Sequence, residues 1–238
     1  MVPTLVSLPP LRHPQANVQK YKVALCQLLV SPDKEDNLTR ARARIEAAAD
    51  AGSMLIEIWS CPYSLETLPS DAEDIDGGAS PSISMLSEVA AARKITIVGG
   101  SIPEKASGKV FNTCCVIGPD GHILAKHRKL HLFEIDIPGD IKFKESDAFT
   151  GGQEPTVVDT DVGRIGIGIC HDIRFPELAM LYRSRARDRD AKSQYMIWGH
   201  SSLIGPFGEV LAAAGHEETT AIGEIDLSMI QSTRHVKN

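Results

Sequence analysis

The chain has 238 residues, 42% of them hydrophobic and 24% charged, with a formal net charge of −6. That is the composition of a soluble globular domain with a sizeable core, and it lacks the basic, aromatic-interleaved stripe of a nucleic-acid binder. No apolar run approaches the ~20 residues that span a bilayer, and the five cysteines form neither a disulfide framework nor a CxxC pair, which argues for a reducing compartment and against structural zinc.

Residues 1–20 read as a disordered tail, and the first acid is Asp33. Tyr21–Leu29 is a buried strand by its apolar run. Asp36–Asp50 carries Leu38, Ala41, Ile45 and Ala48 at helical spacing, with Gly52 as the stop. Met54-Leu55-Ile56 is a short strand ending at Glu57. The polar stretch Ser64–Ser80 is a surface loop. Ser80-Pro81 then starts a helix to Arg93, with a capping hydroxyl followed by proline at the first position. Ile95–Val98 is a strand closed by Gly99-Gly100. Val110–Ile117 and His122–Lys126 flank Pro119-Asp120-Gly121 as a hairpin. Thr156–Val158 and Arg164–Ile169 are strands turning at Asp161-Val162-Gly163, and His171–Arg183 is a helix. Ser184–Ser193 shows no periodicity. Tyr195–Trp198, Ser201–Ile204, Val210–Ala213 and Ala221–Ile225 are late strands, and 231–238 is a short tail. Helices and strands alternate early and strands dominate late, so one α/β domain over residues 21–230 with two layers of sheet is expected.

Cys170 stands apart from the other thiols. It ends a glycine-rich strand at a strand–helix junction, where unpaired N–H groups stabilise a thiolate and can hold an oxyanion. Cys26, Cys114 and Cys115 fall inside strand patterns, and Cys61 lies in a loop with no base beside it. On placement alone, a small buried residue at a strand end is the commoner meaning of such a cysteine. Lys129, within the basic run Lys126–Lys129, has solvent exposure as its plain reading, and Glu57 and Glu145 read singly as surface carboxylates.

Three segments change that balance. GICHDIRFPELA (168–179), HRKLHLFEIDIPG (127–139) and EIWSCPYS (57–64) resemble, in order, the nucleophile, lysine and first-glutamate motifs of the nitrilase (carbon–nitrogen hydrolase) superfamily. GGSIPE (99–104), NTCCVIGPDG (112–121), FKES (143–146) and WGHSSLIGPFGEVLA (198–212) extend the likeness, which is nearest to the omega-amidase branch. The resemblance implies a four-layer α-β-β-α sandwich. It implies Cys170 as nucleophile, Glu57 as general base and acid, and Lys129 with the His171 N–H as oxyanion holders, with Glu145 in support. It needs no cofactor or metal. It implies hydrolysis of a small omega-amide of the 2-oxoglutaramate or 2-oxosuccinamate type to dicarboxylate and ammonia, with water as second substrate and a possible homodimer. A nitrilase or carbamoyl-amide hydrolase shares the triad and is the runner-up. A cytoplasmic location is simplest, with plastid or mitochondrion as the alternative.

Two departures qualify the resemblance. The family places Leu-Pro before the first glutamate, whereas Met54-Leu55-Ile56 runs straight into Glu57 here. Strand register therefore decides which way Glu57 points. After the nucleophile helix the family continues through a strand–helix–strand block that this sequence lacks. That loss would open hydrogen-bond ladders and expose apolar surface, so weak or absent catalysis is expected, and a silent truncated homologue is the competing reading.

Overall fold

The computed structural model describes residues 20–58, 71–140, 142–186 and 200–229. The tails, the first part of the 64–80 loop, Cys61 and Tyr195–Trp198 lie outside the described residues. A six-stranded sheet runs in the order β12-β1-β2-β3-β4-β5. Its strands are β1 (Lys20–Gln27), β2 (Ser53–Ile58), β3 (Thr96–Ala106), β4 (Lys109–Ile117), β5 (Ile123–Arg128) and β12 (Thr219–Asp226). β1, β2 and β3 are parallel, and β4 and β5 fold back as successive antiparallel neighbours. β5 therefore runs the same way as β2.

Helices α1 (Lys34–Asp50) and α2 (Pro81–Arg93) cover one face. Asp33 caps α1 by accepting from the Asp36 N–H, and Ser80 caps α2 by accepting from the Ile83 N–H. Ile45 and Leu86 of these helices pack with Ala24, Cys26, Ile56, Ile58 and Ile97 of the sheet in the larger core. Each fully buried aliphatic side chain there contributes about 1.5–3 kcal/mol.

The opposite face is covered more thinly. β8 (Thr156–Thr160) and β9 (Gly163–Ile167) form a hairpin whose Ile167, with Ile169 just beyond it, packs on Cys114 and Val116. Helix α3 (Pro176–Ala186) lies outside that hairpin, with the Tyr182 ring over Gly166, where a Cβ would meet it at 2.7 Å. A second hairpin, β10 (Ser202–Ile204) with β11 (Val210–Ala213), crosses β12 at Gly223, whose missing Cβ makes room for Leu203. The four layers expected from the resemblance are present. Among the described residues the two hairpins of the second layer are separate two-stranded sheets.

Several boundaries differ from the sequence reading. β2 continues through Glu57 to Ile58, because its ladder with β1 carries on to the Cys26–Ile58 pair. β3 runs through Gly99-Gly100 instead of stopping there. Gly100 takes φ 61, and the register shifts between Val98 and Ser101, so the pair makes a bulge rather than a turn. The helix expected over His171–Arg183 is two pieces, a 3-10 turn Cys170–Arg174 and α3, parted at the extended Phe175. Pro176 is the cause, since it disfavours helical geometry in the residue before it. Two three-residue strands, β6 (Glu134–Asp136) and β7 (Lys142–Lys144), pair as a hairpin that the sequence pattern does not announce.

Candidate active site

Strand alternation decides which side chains reach the thin face. Ile56 and Ile58 point into the helix-side core, so Glu57 between them faces the other way, level with Leu25 and Val98. In β5 the same period sends Lys126 and Arg128 to Glu104, and His127 inward to Thr156 and Asp172. Lys129 is in phase with His127 and ends up 1% exposed, so the solvent-facing reading of the basic run fails for this residue. Because β2 and β5 run the same way, Glu57 and Lys129 stand at the same end of the sheet.

A buried ammonium needs a partner, and Lys129 has one. Its Nζ lies 2.8 and 2.7 Å from the two Glu145 oxygens. Glu145, itself 2% exposed, also accepts the Phe133 N–H. The Lys129 backbone is tied down by its N–H to the Asn112 carbonyl and by its own carbonyl to the Gly152 N–H, both at 2.8 Å.

Cys170 opens the 3-10 turn at φ 48. Left-handed backbone at a non-glycine residue costs on the order of 1–3 kcal/mol and recurs where a side chain must be presented. The thiol is exposed, whereas those of Cys26, Cys114 and Cys115 are buried. Burial pushes those three up, Cys26 to about 11 and Cys115 to about 12. The helix-dipole reading of Cys170 needs correction, because the N–H groups beside it belong to a 3-10 turn and not to the start of α3.

His171 packs its ring against Phe133 at 5.2 Å and Phe175 at 5.4 Å. Burial, then the charges of Lys129 and Arg174, lower its pKa. Its Nδ1 is buried without a hydrogen bond among the described residues. Glu57 is half-buried, and burial lifts its carboxyl from 4.5 to about 7.

The structure thus brings the Lys129–Glu145 pair close to His171, the second residue of the turn that Cys170 opens. Glu57 lies on the same face and at the same end, with β3 and β4 between it and β5, near enough to act on the Cys114 thiol. Asp172 escaped the sequence reading altogether. It is 1% exposed and accepts from Ile169 N–H, His131 N–H, His131 Nδ1 and His127 Nε2. Burial alone would raise its pKa, but the bonds from His127, Ile169 and His131 prevail and hold it at about 2. A short acid two residues past a strand-end cysteine was the available signal. Among the described residues no group of three or more His, Cys, Asp or Glu is placed to hold a metal ion, and no helix is long and apolar enough to cross a membrane.

The Carbon-nitrogen hydrolase family matches residues 22–188 and 184–235. The chain belongs to that family. It is 48% identical to "Omega-amidase, chloroplastic" of Arabidopsis thaliana over 93% of this chain and 72% of that one. It is 42% identical to omega-amidase NIT2-A of Xenopus laevis over 90% of this chain and 92% of that one. Among solved structures it superposes on Saccharomyces cerevisiae Nit3, a member of branch 10 of the nitrilase superfamily, with a TM-score of 0.78 and 33% identity, over 95% of this chain and 99% of that one. This carbon–nitrogen hydrolase is a shortened one. The family match comes in two pieces that meet at residues 184–188. The Arabidopsis match spans 264 positions against 93% of 238 residues, so the relative has residues with no counterpart here.

Proposed function

We propose that this hydrolase cleaves a small omega-amide of a 2-oxo dicarboxylic acid through a thioester on Cys170. Its products are ammonia and the dicarboxylate, and water is the second substrate. The observation that carries the reading is the Lys129–Glu145 pair, buried beside the turn that presents the exposed Cys170 thiol. The omega-amidase relatives point to the substrate class.

Glu57, with a carboxyl near 7, is suited to take up and return a proton at neutral pH. It accepts the Cys170 thiol proton as the sulfur adds to the amide carbonyl carbon. Lys129 and the His171 N–H hold the resulting oxyanion. Glu57 then protonates the amide nitrogen, the C–N bond breaks, ammonia leaves and a thioester remains. Glu57 next takes a proton from water, whose oxygen adds to the thioester carbonyl. Collapse breaks the C–S bond, releasing the acid and returning the proton to sulfur. Glu145 keeps the ammonium aimed and neutralises it between turnovers.

A second reading, a folded but silent relative, is favoured by the broken family match and by the second layer's two hairpins, which are separate sheets among the described residues. Ammonia release from 2-oxosuccinamate, measured beside a thermal melt, separates the two. Release that disappears in Cys170→Ala supports the hydrolase. No release from a chain that melts cooperatively gives the silent relative.

A further inference from the structure

The geometry points to Asp172 as a positioning residue that holds the Cys170 turn in register with the Lys129 segment. The inference rests on Cys170 and Lys129 acting together as proposed above.

One oxygen of Asp172 closes the turn. Its Oδ2 accepts the Ile169 N–H at 3.0 Å, while its own N–H donates to the Ile169 carbonyl at 3.1 Å. These two bonds span Cys170 and His171 and pinch the excursion shut, which keeps Cys170 at φ 48. The other oxygen reaches the lysine segment: Oδ1 accepts the His131 N–H at 2.9 Å and lies 2.7 Å from His131 Nδ1. His131 is two residues past Lys129, and its ring stacks on Phe175 at 3.5 Å, at the far end of the same turn. His127 Nε2, 3.3 Å from Oδ2, adds β5 to the same carboxylate. Sulfur and ammonium come from distant parts of the chain, and this acid joins their two backbones. A neutral amide of the same shape cannot replace it. One end of an amide donates, so it cannot accept at both positions.

Alkylation of Cys170 by limiting iodoacetamide, followed by peptide mass spectrometry across pH in the full chain, tests this. In Asp172→Asn the midpoint of labelling is expected to rise, and the rate at pH 7 to fall by roughly ten-fold, as a sub-ångström misplacement of charge would produce. The direction is diagnostic. Loss of a nearby anion acting by charge alone would lower the thiol pKa and speed labelling. On a Lys129→Met background the Asp172→Asn change should slow labelling no further, because its effect runs through the ammonium. If Asp172→Asn melts without cooperativity, His131→Ala replaces it. That variant removes the ring from Oδ1 and leaves the Ile169 bonds, and slower labelling is again expected. An activated wild-type Cys170 with an unchanged or faster substituted variant overturns the positioning role alone. A wild-type Cys170 no more reactive than in the denatured chain overturns the proposed function as well.

Discussion

Glu57→Gln exchanges a titrating carboxyl for a neutral side chain of the same shape, so its effect on stability should depend on pH in a way set by burial. The carboxyl is carried from 4.5 to about 7 in the folded chain. At about 1.4 kcal/mol per pH unit, full ionisation there costs roughly 3 kcal/mol relative to the unfolded chain. The side chain is half-buried and keeps some contact with water, which reduces the expected figure to about 2 kcal/mol. Because the folded value is the higher one, the folded chain holds the extra proton between the two values. Wild-type stability is therefore intact below about pH 4.5 and is lost as pH rises through about 7. The glutamine variant has no such loss. Urea unfolding at intervals from about pH 4.5 to 8.5 measures both proteins, and other titrations largely cancel in the difference. The variant's advantage should grow from near zero to about 2 kcal/mol across that window. A difference that stays flat would refute the burial of Glu57, and with it the neutral-pH proton shuttle.

Other expectations follow from the same geometry. Lys129→Ala removes the ammonium that neutralises the buried Glu145 carboxylate, so the urea midpoint should correspond to a loss of about 3–5 kcal/mol, largely recovered in Lys129→Met with Glu145→Leu. Gly166→Ala drives a methyl into the Tyr182 ring and should cost about 1–3 kcal/mol in a thermal melt. Adding Tyr182→Ala should relieve part of that loss rather than sum with it. Acid unfolding should set in as pH falls from about 4 toward 2, because Asp172 and Glu104 are both held at about 2 and their stabilisation vanishes on protonation. Replacing either acid by its amide should shrink that acid-induced loss in a circular-dichroism titration.

Much of the layered fold was legible because it rests on local signals. Ser80-Pro81 started a helix, Pro119-Asp120-Gly121 turned a hairpin, and the apolar spacing of α1 faced the core as read. The site was less legible, for reasons that can be named. Lys126–Lys129 looks like a solvated basic run until strand alternation is applied. Then alternate residues serve opposite faces of the sheet, and Lys129 is buried against Glu145. The short strand before Glu57 left its direction open, because register is a property of the partner strands and not of the segment. The sequence pattern reads as one helix beginning directly after Cys170, although Pro176 marks the break. The left-handed cysteine is held by Asp172, a tertiary contact no local pattern encodes. The family's extra block was legible only through resemblance; the family match divides at residues 184–188, and among the described residues the second layer is two separate hairpins.

Trapping the acyl-enzyme is the most direct test of the account. The full chain is mixed with an omega-amide substrate at neutral pH, quenched in acid within seconds and digested, and the peptide bearing Cys170 is weighed. This peptide is expected to gain the mass of the substrate less ammonia, in the fraction of chains whose thioester has not yet been hydrolysed. No gain is expected on Cys26, Cys114 or Cys115, and none in a Lys129→Met chain. An adduct on a different cysteine, or none on Cys170 while ammonia is still released, would contradict the account.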